Sequence, residues 1–203
     1  MVAAWVTARS IARELPLPVA DRGGWRVETH SPDETRRWVF AEPSDNIAAL
    51  GRAVSHPRQP IKLCGDRSEL EGLLHPGWSV SETGFFMREN GPQPDLRLPG
   101  GYGIDIAHSV GRSRAVILCG GQIAASGYAA ETDNAFIFDR IVVGEAHRRR
   151  GLGSALVAAL GRTRIGQGKP ATLVATKLGQ HLYAALGWET LSPYATAQLR
   201  DQP

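Results

Sequence analysis

The sequence predicts an α/β fold whose sheet is mixed but largely antiparallel. Two observations predict it. Between residues 104 and 143, alternating or apolar runs follow one another as short strands, and the turn residues Gly120-Gly121 and Thr132–Asn134 separate the later ones. After residue 150, helix-forming runs flank a short apolar run at residues 171–176, which is typical of a buried strand.

The composition is that of an ordinary globular chain. Of the 203 residues, 42% are hydrophobic and 21% are charged, which is too apolar for a disordered segment. The formal net charge of +3 is too small for a dedicated nucleic-acid binder. Residues 101–203 hold 11 basic and 7 acidic side chains, so we expect any anionic ligand to bind in that half.

Neither a membrane nor a metal is an expected partner. No apolar run approaches the roughly 18 residues that span a bilayer, and residues 1–8 lack the basic leader of a signal peptide. We therefore expect a cytoplasmic protein that binds neither membrane nor nucleic acid. Cys64 and Cys119 form no CxxC pair, and no spacing of His, Asp and Glu indicates a metal site.

A loop rich in proline and glycine divides the chain. Residues 89–103 hold three prolines and four glycines, so they cannot continue a helix or a central strand. We therefore predict an N-terminal α/β segment, residues 1–98, and a second segment, residues 99–203. The first segment carries no chemical motif, and acceptor binding is one role open to it. Its predicted elements are helix 7–15, strand 25–29, a helix from the capping box Ser31–Glu34 to Val39, helix 47–54, strand 61–64, a helix from the capping box Ser68–Glu71, and strands 78–81 and 85–87.

The second segment holds a dense series of predicted elements. Its last strands are expected to close the sheet as a hairpin that turns at Ser192-Pro193. The predicted strands are 104–110, 114–119, 122–130, 135–143, 171–176, 188–191 and 194–199, and the predicted helices are 154–160 and 179–186.

A phosphate-binding turn is indicated where a strand is followed by Arg148-x-x-Gly151-x-Gly153 and then by a helix. The N-terminus of a helix presents unpaired N–H groups and the positive end of the helix dipole. Glycines let the backbone approach a ligand closely, and the arginines Arg148–Arg150 add positive charge. A pyrophosphate would satisfy all three features at once. The segment lacks both the Gly-Lys-Ser/Thr ending of a Walker loop and the first glycine of the dinucleotide fingerprint.

Residues 135–188 resemble the GCN5-related N-acetyltransferase (GNAT) family. Phe138–Val143 is similar to the family's fourth strand, Arg148-x-x-Gly151-x-Gly153 to its pyrophosphate loop, and Leu182–Trp188 to its LYxxLGF segment. The three motifs occur in the family's order with compatible spacings. The resemblance implies a GNAT-type sheet flanked by helices, with acetyl-CoA as co-substrate.

The resemblance also implies how the cofactor is held. The fourth strand would splay from the fifth, and the backbone around Ile141–Val143 would pair with the pantetheine arm as an added strand would. N–H groups near Val142 or Val143 would stabilise negative charge on the carbonyl oxygen. The cofactor-binding residues expected on this basis are Ile141, Val142, Val143, Arg148, Arg149, Arg150, Gly151, Leu152, Gly153 and Ser154.

Two side chains are candidate catalytic residues. Tyr183 matches the family position that donates a proton to the departing thiolate. Asp139 is a candidate base for the attacking amine, and the alternative is an ion pair with Arg114 or Arg140. Glu131, Asp105 and a water chain compete with Asp139 for the role of base.

The expected function is transfer of an acetyl group from acetyl-CoA to a primary amine by direct attack. The acceptor could be a small-molecule amine or a protein amine. A non-catalytic acyl-CoA-binding regulatory module is the main alternative. A nucleic-acid binder using Arg148–Arg150 has thin support, because no aromatic residues alternate with these arginines. Members of the family often dimerise, so the resemblance leaves a homodimer open.

Overall fold

The computed structural model describes residues 1–166, 168–169 and 171–200. Its centre is one sheet of eleven strands in the order β1-β2-β3-β4-β11-β5-β10-β9-β8-β7-β6. Two neighbouring pairs, β3–β4 and β9–β10, are parallel, and the remaining pairs are antiparallel. The predicted fold class is therefore confirmed. The strands are β1 Val19–Asp21, β2 Gly24–Glu28, β3 Arg36–Phe40, β4 Ile61–Leu63, β5 Trp78–Glu89, β6 Tyr102–Ser109, β7 Arg112–Cys119, β8 Gln122–Glu131, β9 Phe136–Val143, β10 Ala171–Ala175 and β11 Trp188–Leu199.

Five α-helices cover the sheet, and none in the described part of the chain has the length and apolar character of a transmembrane segment. They are α1 Val2–Ala12, α2 Asp45–Ala53, α3 Arg67–Leu73, α4 Leu152–Gly161 and α5 Lys177–Ala185, with a short 3₁₀ turn at Glu145–His147.

Helix α1 and the pair α4 and α5 lie on opposite faces of the sheet. Phe136 and Phe138 of β9 pack in the core cluster that includes α4 and Tyr183 of α5. Ile137, between them, packs in the cluster that includes Trp5 and Val6 of α1. Successive side chains of a strand point to opposite faces, so the two clusters are separated by the sheet. Helices α2 and α3 join a third cluster, with residues of β3, β4, β5 and β11.

The sheet joins the two predicted segments. The boundary predicted at residues 98 and 99 falls in the loop between β5 and β6, but β5 lies between β10 and β11, which belong to the second segment. Strand β11 also pairs with β4 on its other side. The two segments therefore contribute strands to one continuous sheet. The role of residues 1–98 in acceptor binding stays a prediction.

Four expectations about secondary structure are wrong. Residues 34–39 form no helix: Arg36–Phe40 is an internal strand, paired with β2 and β4. The predicted strands 78–81 and 85–87 are one strand, β5. The predicted closing hairpin is also one strand, β11, because its backbone runs through Ser192-Pro193 with irregular register on either side. Helix α3 is capped by the pair Asp66 and Glu69 rather than by the predicted box at Ser68–Glu71.

Candidate functional site

A cleft opens where β9 and β10 separate. Among the residues that the structure describes, the two strands pair only at Ala171 with Phe136 and at Thr172 with Ile137. Beyond these positions the strands diverge, as the resemblance implied, and a cavity of about 310 Å³ lies between them. Its walls come from both faces of the sheet. They are residues 138–143 of β9, residues 173–176 at the end of β10, Gly153 of α4, Gly179, Leu182 and Tyr183 of α5, and Trp5, Arg9 and Arg13 from the α1 side.

A bulge in β9 accompanies the separation. Arg140 has a φ of 52°, and the pairing of β8 with β9 shifts in register between Ser126 and Tyr128. A Cβ atom at Gly127 would lie 2.4 Å from Cδ1 of Ile141, so a side chain at this position would force the Ile141 side chain to move. A bulge bends its strand and leaves an extra residue in the ladder. As a result Phe138 and Ile141, three positions apart, both pack in the α4 cluster.

The bulged strand leaves backbone groups free at the cleft. Residues 138–143 have no strand partner on the side that faces β10, within the part of the chain that the structure describes. The predicted residues Ile141, Val142 and Val143 all line the cavity. The arrangement offers an open strand edge to an extended ligand that carries amide groups.

The predicted phosphate-binding turn leads from β9 to α4. Arg149 has a φ of 58°, and Gly151, at the N-cap of α4, has a φ of 77°. No side chain caps this helix, so the first N–H groups of α4, at Leu152, Gly153 and Ser154, have no side-chain acceptor from the cap. The three arginines Arg148–Arg150 and Gly151 are exposed, so the turn is open to a ligand. Only Gly153 of this turn lines the cavity itself.

Tyr183 forms part of the cavity wall on the α5 side. The hydroxyl of Thr176 accepts a hydrogen bond from the Gly179 N–H at 3.1 Å and so begins the helix that carries Tyr183. The ring packs against Trp188, with centroids 5.4 Å apart. Burial raises the pKa of Tyr183, and the negative charge of Asp139 raises it further. The hydroxyl is therefore protonated at neutral pH and able to donate a proton.

Asp139 is held in ion pairs. Arg13 donates two hydrogen bonds to it, from Nε to Oδ2 at 2.7 Å and from Nη2 to Oδ1 at 2.9 Å. Arg9 lies 3.6 Å and Arg140 3.4 Å from the same carboxylate. Burial acts to raise the pKa of Asp139, but the Arg13 hydrogen bonds and the charges of the three arginines outweigh it and hold the pKa below its usual value.

A carboxylate stabilised in this way is a weak proton acceptor. The ion pair with Arg140 that the sequence offered as an alternative is present, whereas Arg114 instead lies over the ring of Tyr128. The role of Asp139 as a base stays a prediction. The competing acids are elsewhere: Asp105 is outside the cavity lining, and Glu131 binds Lys169 and the N–H groups of Ile165 and Gly166.

Sequence reasoning missed the α1 side of the site. Trp5, Arg9 and Arg13 line the cavity from the face opposite Tyr183. Their spacing of four residues places them on one side of a helix, which is the signal that could have found them. The guanidinium of Arg9 lies 5.1 Å from the centre of the Trp5 ring, so a cation–π contact joins these two side chains.

Comparison with known proteins agrees with this geometry. Residues 112–190 match the family model described as an acetyltransferase (GNAT) domain. This range contains β9, α4, β10 and α5 with Tyr183, which form most of the cleft. A search of curated proteins gave no match.

Solved structures share the fold over almost the whole chain. A GCN5-related N-acetyltransferase from Kribbella flavida has a TM-score of 0.69 at 14% identity, covering 100% of this chain and 96% of that one. A GCN5-related N-acetyltransferase-like protein from Streptococcus suis has a TM-score of 0.66 at 14% identity, covering 98% and 93%. A GNAT-family acetyltransferase, termed putative, from Novosphingobium aromaticivorans has a TM-score of 0.61 at 16% identity, covering 98% and 97%.

The fold, the family match and the splayed strands together are those of a GNAT-type domain. Residues 112–190 match the GNAT domain model, and the resemblance found in the sequence is confirmed over this range.

Proposed function

We propose that the protein transfers an acetyl group from acetyl-CoA to a primary amine by direct attack. The observation that carries this proposal is the cleft between β9 and β10, whose walls come from both faces of the sheet. A thioester held on the α4 and α5 side can be reached by an amine from the α1 side. No acyl-enzyme is needed, because the two substrates can meet in the opening.

The residues present fit acetyl-CoA. The uncapped N-terminus of α4, with Gly151 in the left-handed region and three exposed arginines beside it, suits a pyrophosphate. The free edge of β9 from Phe138 to Val143 suits the amides of the pantetheine arm. Bound there, acetyl-CoA supplies the thioester-activated acetyl group.

The chemistry then needs a nucleophile, a proton donor and charge stabilisation. The amine nitrogen of the acceptor forms a bond to the carbonyl carbon, and the carbon–sulfur bond breaks. The Tyr183 hydroxyl gives its proton to the departing sulfur, and the amine loses a proton to solvent water. N–H groups near Val142 or Val143 stabilise the negative charge that builds on the carbonyl oxygen.

The α1 side of the cleft can assist loss of the amine proton without a protein base. Arg9, Arg13 and Arg140 outnumber the single carboxylate of Asp139. A positive surrounding disfavours an ammonium ion, so it lowers the pKa of an amine bound beside it. The neutral, attacking form of the amine is favoured as a result.

The decisive experiment is acetyl-CoA turnover against a broad amine library, with release of CoA thiol and mass-spectrometric detection of the acetylated amine. We expect at least one primary amine to be acetylated at a rate proportional to enzyme. Acetyl-CoA binding without transfer to any amine would contradict the proposal and favour the non-catalytic regulatory module.

A further inference from the structure

We propose that the acceptor is a small amine that also carries an anionic group, a carboxylate or a phosphonate-like group, and that Arg9 binds this group at the α1 side of the cleft. This inference rests on the proposed function, because it names the class of the second substrate. It starts from a cationic site built by side chains of α1 and β9, which the pyrophosphate turn does not share.

The Arg9 guanidinium has hydrogen-bond donors that are available to a ligand. Its guanidinium carries five N–H donors in a rigid fork. In the described part of the chain it makes no hydrogen bond, and its one carboxylate neighbour, Asp139, is 3.6 Å away. That carboxylate is already engaged by Arg13 through two hydrogen bonds. The Arg9 side chain is only 16% exposed, and it lines the cavity. A largely buried guanidinium of this kind is best satisfied by an anion that enters from the cavity.

The charges around Arg9 leave an excess of positive charge. At the cleft, Arg9, Arg13 and Arg140 surround one carboxylate, that of Asp139. Behind them, Arg37 and Lys62 share a second carboxylate, that of Glu34, at 2.9 and 3.2 Å. Five cations therefore face two anions, and four of the cations are largely buried, whereas the Arg140 side chain is 42% exposed.

The titration of the inner pair is consistent with this excess. Burial lowers the pKa of Lys62 to about 8, and the positive charges of Arg9 and Arg37 contribute to the shift. Burial also lowers the pKa of Arg37 to about 10, and the charge of Arg9 is the next cause. One further anion beside Arg9 would reduce the electrostatic repulsion that helps to lower the pKa values of Lys62 and Arg37.

The dimensions of the cleft favour a compact acceptor. The cavity of about 310 Å³ must hold the acetyl end of the cofactor as well as the acceptor, and it lies at the lower end of the range for small-molecule sites. Helix α1 covers the acceptor side, where Trp5 and Arg9 form part of the wall. An amine of amino-acid size fits this space. Since Arg forks bind carboxylates and phosphate-type groups alike, both chemistries belong in the test.

The test compares matched amines that differ in one charge. The proteinogenic α-amino acids are paired with their α-amides, and 2-aminoethylphosphonate is paired with 2-aminoethanol. Each compound is assayed with acetyl-CoA for release of CoA thiol. Each is also assayed alone for its effect on the thermal unfolding midpoint, which reports binding without chemistry. The proteins are the wild type, Arg9→Gln, Arg9→Lys and, as a matched control, Arg52→Gln, which removes an exposed arginine on α2 away from the cleft.

We expect the wild type and Arg52→Gln to prefer the anionic member of at least one pair by about 10-fold or more in kcat/KM, the size of a charge-assisted hydrogen bond. Arg9→Gln should lose most of this preference with an unchanged KM for acetyl-CoA, and Arg9→Lys should keep part of it. The compound pair that shows the preference tells whether the site binds a carboxylate or a phosphonate.

Equal use of charged and neutral partners, or a preference that survives in Arg9→Gln, would overturn the inference while leaving the acetyltransferase proposal intact. If no amine is acetylated but anionic amines still raise the unfolding midpoint of the wild type and not of Arg9→Gln, the anion site stands and the proposed function fails. If no anionic amine reacts or binds, the anion site fails as well.

Discussion

The guanidinium of Arg13 and the carboxylate of Asp139 join helix α1 to strand β9 through two hydrogen bonds, across 126 positions of sequence. Both residues line the cleft, and the pair ties the first helix to the strand that forms one of its edges. Arg140 reinforces the junction from β9, where its Nη2 also donates to the Ala12 carbonyl at the end of α1.

Asp139→Asn tests whether this junction is structural. The variant leaves three guanidinium groups around a neutral amide, and breaking a buried pair from one side costs about 3 kcal/mol or more in the free energy of unfolding. Urea unfolding at pH 7 measures the loss, and the exposed Asp105→Asn is the matched control.

The difference in unfolding free energy between the wild type and Asp139→Asn should decrease at low pH. The pKa of Asp139 is lowered in the folded chain, so its contribution is fully present above the ordinary value of 3.8. As the pH falls below that value, the wild type and Asp139→Asn should converge in stability. Unchanged stability with reduced turnover would instead assign this carboxylate to proton transfer.

Tyr183→Phe tests the proton donor. Because the ring stays packed on Trp188 while the hydroxyl is lost, we expect turnover to fall on the order of 10²-fold or more, with acetyl-CoA affinity nearly intact. Tyr194→Phe is the control: its buried hydroxyl has no hydrogen-bond partner in the described chain, and it lies outside the cavity lining. Steady-state kinetics and calorimetry measure both quantities, and normal turnover in Tyr183→Phe would remove this residue from the mechanism.

Gly151→Val tests the pyrophosphate turn. A side chain at a φ of 77° costs about 1–2 kcal/mol or more, and it disturbs the N–H groups that open α4. Gly121→Val places the same side chain at a φ of 78°, in the hairpin between β7 and β8, with open space around it. Both variants should lose similar stability, but only Gly151→Val should lose acetyl-CoA affinity, by 10-fold or more in calorimetry. Equal affinity in the two variants would place the phosphates elsewhere.

Lys62→Met tests the buried positive charge behind the cleft. The unfolded chain holds the Lys62 proton up to about pH 10.5, whereas the folded chain releases it near pH 8. Wild-type stability relative to Lys62→Met should therefore rise between these two pH values, by up to about 3 kcal/mol. Unfolding curves at pH 7.5, 8.5, 9.5 and 10.5 measure the difference.

The comparison isolates Lys62 from other alkaline titrations. Burial raises the pKa values of Cys64 and Tyr194 to about 12, which makes both proteins less stable above about pH 9–10 and cancels in the difference. The exposed Lys177→Met controls for loss of a lysine. A difference that stays flat from pH 7.5 to 10.5 would show that the Lys62 ammonium is well solvated.

The α4 and α5 side of the cleft was predictable in its local structure, because the sequence signals for that structure are local. The Arg148–Ser154 turn and the helix carrying Tyr183 are each written within a dozen consecutive residues, and their geometry follows from glycine and helix-terminus chemistry. The acceptor side was not predictable in this way. Arg9 and Arg13 can be recognised as site residues only by their ion pairs with Asp139, and these pairs form only in the tertiary fold.

The error at residues 34–39 has a similar physical cause. The Ser31 hydroxyl does accept a hydrogen bond from the Glu34 N–H at 3.0 Å, as a helix cap would. The chain nevertheless continues as β3, because pairing with β2 and β4 buries Trp38, Val39 and Phe40 between two neighbours. Tertiary burial outweighs a local start signal of this size. At Ser192-Pro193, irregular register in β11 lets a proline remain in a strand.

The central position of β5 affects how the chain can be made and divided. Both of its neighbours, β10 and β11, come much later in the chain, so during translation both edges of β5 stay unpaired until residues 171–199 have emerged. If the gene were divided near codon 98, the first fragment would contain β5 without either of its neighbours. The second fragment would have a gap between β10 and β11. We therefore expect that the two halves cannot be exchanged separately between related proteins, even though a loop separates them in the sequence.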